Sequence, residues 1–130
     1  MNTMHEFFGE VIHCYTREES ILDGVLVGLT ALFPDECRLY RYPVACTVAV
    51  WSIIDRATTT PTQCNSHAGI VWDILYMSQH AIVSRPDEHT VIFSVIITGA
   101  GRKRILTLKA VCGPGDTMEP VVTIMLPFED

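Results

Sequence analysis

The chain has 130 residues, 48% of them hydrophobic and 18% charged, with a formal net charge of −6. That composition excludes a disordered chain and fits a single domain over residues 1–130 with a substantial core. No apolar run approaches the ~20 residues needed to cross a bilayer, and MNTMHEFFGE lacks the pattern of a secretory leader, so a cytoplasmic protein is expected.

The charge is unevenly spread. Residues 1–36 carry seven acids against one base, residues 37–115 eight bases against four acids, and residues 116–130 four acids. Five cysteines (Cys14, Cys37, Cys46, Cys64 and Cys112) include no C-x-x-C pair, which favours buried free thiols over a disulfide framework.

Residues 8–15 read as a strand ending at Tyr15. Thr16 then suits a helix N-cap, and Glu19 three residues on completes a capping-box pattern, with Glu18 adding negative charge to the first turn. Gly24 is placed to stop this short helix, and VLVGLT (25–30) returns as a strand. Pro34-Asp35 marks a turn. TVAVWSIIDRA (47–57) is helical, with Val44, Val48, Trp51 and Ile54 at helical spacing and Pro43 as an early helix residue or lead-in. The polar stretch 58–66 reads as a loop. A second helix spans about 67–84, with Ile70, Ile74, Met77 and Ala81 on one face, widened by Val71, Leu75 and Ile82, so it should be mostly buried. TVIFSVIIT (90–98), RILTLKAVC (104–112) and EPVVTIMLP (119–127) are three β runs separated by a glycine-rich loop and by GPGD, a three-stranded antiparallel meander. The fold class expected is α+β, two main helices packed on a mostly antiparallel sheet.

Motifs for chemistry are sparse. Cys64 and His67 have ligand-like spacing, with His80 further along the helix, but structural zinc needs a second close pair, so no metal is expected. GRKR (101–104) could grip phosphates, yet no aromatic series stands beside it, and a solvated hairpin loop explains it better than direct nucleic-acid binding. GPGD and GAG are too short for phosphate-binding loops and lead into no helix. Cys14 adjoins His13, but neighbours along a strand point to opposite faces and cannot pair. Trp51, Trp72 and Tyr76 either form an exposed aromatic patch or pack inward, and oligomeric state stays open.

Two resemblances add to these readings. The opening segment, with His13, Tyr15 and Thr16 followed by Ile21, Asp23, Gly24 and Val25, loosely resembles the first segment of ADP-ribosyltransferases. The resemblance implies an NAD-dependent enzyme in which His13 orients NAD, Tyr15 or Thr16 lines the pocket, and Glu119 or Glu129 stabilises the developing oxocarbenium charge or aligns the acceptor. Capping by Thr16 explains most of that pattern without NAD. More broadly, residues 8–27, 42–51, 69–77 and 107–130 together are similar to an uncharacterised family of small proteins encoded on bacterial plasmids, integrative elements and phages. Gly28 departs from that pattern, where an acid is expected after DGVLV.

Such a setting implies an accessory protein that binds and inhibits a host defence complex, anti-CRISPR-like, with no cofactor and no membrane association. The partner expected is a host protein or ribonucleoprotein complex. Glu18, Glu19, Asp23, Asp35 and Glu36, concentrated in the first third of the chain, are the expected contact positions.

Overall fold

The computed structural model describes residues 16–60, 65–99 and 105–129. The expected strand 8–15, with His13, Cys14 and Tyr15, lies outside the described residues, as do Cys64 and the basic stretch 101–104.

The described chain runs α1 (Arg17–Leu22), β1 (Leu26–Gly28), α2 (Leu29–Leu32), a 3-10 turn (Glu36–Leu39), β2 (Val44–Thr47), α3 (Val48–Thr59), α4 (His67–Ser84), β3 (Thr90–Ile96), β4 (Ile105–Pro114) and β5 (Pro120–Met125). The five strands form one sheet in the order β1-β2-β5-β4-β3. All neighbours are antiparallel except β2 and β5, which run parallel with Ala45 opposite Thr123. The architecture is α+β with an open, mostly antiparallel sheet ending in the expected meander, although β4 runs on through Gly113 and Pro114 before turning.

α3 and α4 cover one face of this sheet. Val50, Ile54 and Ala57 from α3 and Ile70, Val71, Ile74 and Leu75 from α4 pack on Val44, Cys46, Val91, Phe93, Val95, Leu108, Ala110, Val122 and Ile124. Strand alternation supplies that layer, since β3 buries every second residue. The other face is closed over Ala45, Val121 and Met125 but leaves Ile92, Ile96 and Ile105 exposed on the outer strands.

Local chemistry sets the ends of the elements. Thr16 accepts from Glu19 N while Glu19 accepts from Thr16 N, the full capping box, and Gly24 takes φ +82° just past the Asp23 C-cap, a conformation that favours glycine. Ser66 caps α4 through Gly69 N, and that helix spans the range its periodicity predicts. Thr60 Oγ1 donates to Gly99 O at 2.6 Å and Asn65 Nδ2 to Thr98 O at 2.7 Å, fastening both flanks of the α3–α4 connection to the residues just after β3.

Three expectations need correction. The strand read over 25–30 is only three residues long, and Leu29 opens α2 instead, with Gly28 as an N-cap that has no side chain to accept a hydrogen bond. Val44 lies in β2, buried between β1 and β5, and α3 begins only after Thr47 caps it through Val50 N. α4 is also less buried than expected, because Trp72, Asp73, Tyr76 and Met77 face outward while Ser78, a polar residue, takes a core position.

Candidate interaction site

The opening helix is docked by a distant turn. Asp116, in the β4–β5 connection, accepts from Arg17 N at 2.8 Å through Oδ1 and from Glu18 N at 3.0 Å through Oδ2. With the capping box, every backbone N–H from Thr16 to Glu19 has an acceptor. Arg17 returns the contact, its guanidinium donating to Thr123 Oγ1 at 2.7 Å and to Val122 O at 2.9 Å on β5. Partial burial lowers the arginine's pKa, and the carboxylates of Asp116 and Glu119 oppose that shift.

Glu119 closes the same turn. It accepts from both the hydroxyl and the backbone N–H of Thr117, and the Thr117 hydroxyl bond is the main reason its pKa lies below the usual carboxylate range. The turn is tight at Gly115, where a Cβ would sit 2.7 Å from Glu119 Oε2 and 2.9 Å from Val121 Cγ1, so a side chain there would displace the Glu119 carboxylate.

This docking builds a small hollow of about 260 Å³. Ile21, Leu22, Pro43 and Val121 give it apolar walls, and beside them stand the carboxylates of Glu18, Asp116 and Glu119 with the guanidinium of Arg17 among them. Leu22 is 78% exposed there. An exposed leucine bordered by charged groups makes this face the candidate contact surface.

A family model described as a family of unknown function, DUF6573, matches residues 1–130. The chain belongs to the DUF6573 family. No curated protein and no solved structure matches it.

The candidate residues of this DUF6573 chain fall in several places. Glu18 lies on the exposed side of α1 beside the hollow, whereas Glu19 is engaged in the capping box and Asp23 is the C-cap of the same helix. Asp35 is paired with Arg38 at 3.2 Å on the surface. Glu36 borders a separate hollow with Asn65, Ser66 and Trp72 at the start of α4. The acidic positions therefore form two groups, around α1 and around the 3-10 turn.

Of the residues assigned to NAD chemistry, Thr16 is the N-cap and Glu119 lies by the α1 hollow. Glu129 accepts from Thr47 Oγ1 and Leu126 N, both at 2.8 Å, holding the segment after β5 against β2. Asp116 was missed as a binding candidate because its role depends on a contact 99 residues away in sequence. Only the GPGD turn marked its neighbourhood.

The remaining described candidates include packed aromatic groups and free thiols. His67 Nε2 is 3.1 Å from Asp55 Oδ1, and its ring stacks on Trp51 with centroids 5.3 Å apart. Trp51 thus packs inward, while Trp72 and Tyr76 stack on each other in the open. Among the described cysteines, Cys37, Cys46 and Cys112 are free thiols, and burial pushes the Cys46 thiol up to about 12.

Proposed function

We propose that this protein is an accessory protein of a mobile genetic element that binds and inhibits a host defence complex, in the manner of anti-CRISPR proteins, through the face around α1. The observation that carries the reading is the exposed Leu22 beside Glu18, Asp116 and Glu119. A leucine side chain left open to water gains by burial against a partner, and the three carboxylates beside it outnumber the one Arg17 guanidinium, an excess that favours a basic partner. The partner class is a host protein or ribonucleoprotein whose cationic surface ordinarily holds nucleic-acid phosphates.

The test is affinity purification of the full chain from a host carrying its defence systems, with mass spectrometry of what is captured, followed by binding assays on the purified complex. Leu22→Lys should weaken binding about tenfold or more, the loss of one well-packed anchor. Glu18→Lys should weaken it further at low salt than at high salt. Unchanged binding in both variants would exclude this face. Titration with NAD separates the alternative of an ADP-ribosyltransferase-like enzyme using His13, Tyr15, Thr16, Glu119 and Glu129: heat of binding, with modified host protein in the same lysate, would replace the present reading.

A further inference from the structure

Among the described strands β3 stands at the edge of the sheet, with Arg85 as the described side chain that bonds to its outer side. Its sequence, TVIFSVI, carries no charge and no proline, and exposed strands of this kind pair with other chains unless something covers them. The ladder fixes which backbone groups are available. Cys112 N donates to His89 O at 2.7 Å, and hydrogen-bonded pairs recur at every second residue of an antiparallel ladder. Val91, Phe93 and Val95 therefore direct their backbone groups to β4, and Thr90, Ile92, Ser94 and Ile96 direct theirs outward. Arg85 agrees with this assignment, since its Nη1 donates to Ile92 O at 3.4 Å. Among the described residues no other group bonds to the outward row.

Apolar surface flanks that row. On the sheet face away from the helices, Ile96 and Ile105 are each 62% exposed and Ile92 is 47% exposed. Beside α4 a hollow of about 450 Å³ is lined by Asp73, Tyr76 and Met77 with Ser94, Ile96 and Ile105.

We propose that a second copy of this chain occupies the edge, the two β3 strands pairing antiparallel across a two-fold axis at Ser94 to make one sheet through both molecules. The strand is complementary to itself about that point. Ile92 of each copy comes opposite Ile96 of the other, so the exposed isoleucines merge into one apolar block, the outward N–H and C=O groups find partners, and Ile92 O exchanges its long contact with Arg85 for the ladder bond. The charges also match. Arg85 bonds to Ile92 O and Asp73 lines the same hollow as Ile96, so antiparallel pairing carries the Arg85 of each copy toward the Asp73 of the other. The uncharged strand brings no like charges together in a contact between two molecules of net charge −6.

Sedimentation of the full chain over a range of concentrations tests this, with a reversible monomer–dimer equilibrium expected. Ser94→Pro deletes an outward N–H and leaves the β3–β4 ladder whole, so it should give monomer throughout with an unchanged near-ultraviolet circular dichroism spectrum. Asp73→Arg, on the helix and outside the ladder, should weaken association about tenfold, equivalent to ~1.4 kcal/mol. Adding Arg85→Asp to that variant should restore it. A wild-type chain that stays monomeric overturns the proposal, also if it binds an extended peptide at this edge instead. A dimer indifferent to Asp73→Arg and Ser94→Pro overturns it equally.

Discussion

At the scale of single residues, the position that does most to organise the α1 region is Asp116. One carboxylate accepts two backbone N–H groups at the positive end of α1, and it draws the β4–β5 turn against that helix. Asp116→Ala leaves both donors to water and removes the favourable charge at the helix end, and should cost about 1–2 kcal/mol by the scale of N-cap deletions. Asp116→Asn keeps one good acceptor and should cost less. Urea unfolding of the three proteins checks the order, and equal stability of wild type and Asp116→Ala would show that the turn does not anchor the helix. Because α1 carries both Glu18 and Leu22, the alanine variant should also weaken any partner bound at that face.

At the scale of elements, α4 is defined by how it handles a buried hydroxyl. Ser78 is fully buried, donates to Leu75 O at 2.9 Å, and lies 2.6 Å from the hydroxyl of Tyr40. With its one proton directed to Leu75 O, Ser78 accepts from Tyr40, which ties the segment after the 3-10 turn to the helix. Ser78→Ala removes the acceptor and leaves a half-buried phenol short of a partner, and should destabilise by about 1–3 kcal/mol. Tyr40→Phe leaves Ser78 bonded to Leu75 O and should cost only about 1 kcal/mol. Combined, the two changes should cost less than their sum, and thermal melts of the double-mutant cycle would show it; strict additivity would mean that the two hydroxyls do not interact.

The same scale shows what was legible in the sequence. The capping box at Thr16 and Glu19, the glycine stop at Gly24, the limits of α4 and the order of the meander all rest on short-range chemistry or on periodicity, and they stand out in the chain itself. β2 did not, because Val44, Ala45 and Cys46 are all buried, so the strand lacks polar alternation, and Val44 also fits the helical spacing of α3. Its parallel pairing with β5 joins residues far apart in the chain and leaves no local mark. The candidate site was half legible: Glu18 came from charge density in the first third, while Asp116 and Glu119 reach it only through the folded turn.

For the whole molecule, the sheet separates two surfaces. α1 packs beside β1 and docks on β5, whereas the edge proposed for self-pairing is β3, at the opposite end of the strand order, so a dimer would present two copies of the α1 face. The stability of the molecule as a function of pH draws on groups from several of these elements. Glu119 has its pKa held below the ordinary 4.5 by the Thr117 hydroxyl, so its contribution is present above that value and is lost as pH falls through the folded-state pKa. Cys46 and Tyr40 work in the other direction. Burial raises the Cys46 thiol from 9.0 to about 12 and the Tyr40 phenol from 10.0 to about 12. An unfolded chain gives up those protons earlier, so their contribution is complete below the ordinary values and is lost as pH rises toward about 12. Urea midpoints across pH should therefore show a plateau with a fall at each end. Glu119→Gln should flatten part of the acid limb and leave the alkaline limb alone. Tyr40→Phe and Cys46→Ala should lower the plateau yet make the alkaline limb shallower, because each removes a group that ionises more easily once unfolded. An alkaline slope that survives both substitutions would place the controlling group elsewhere in the chain.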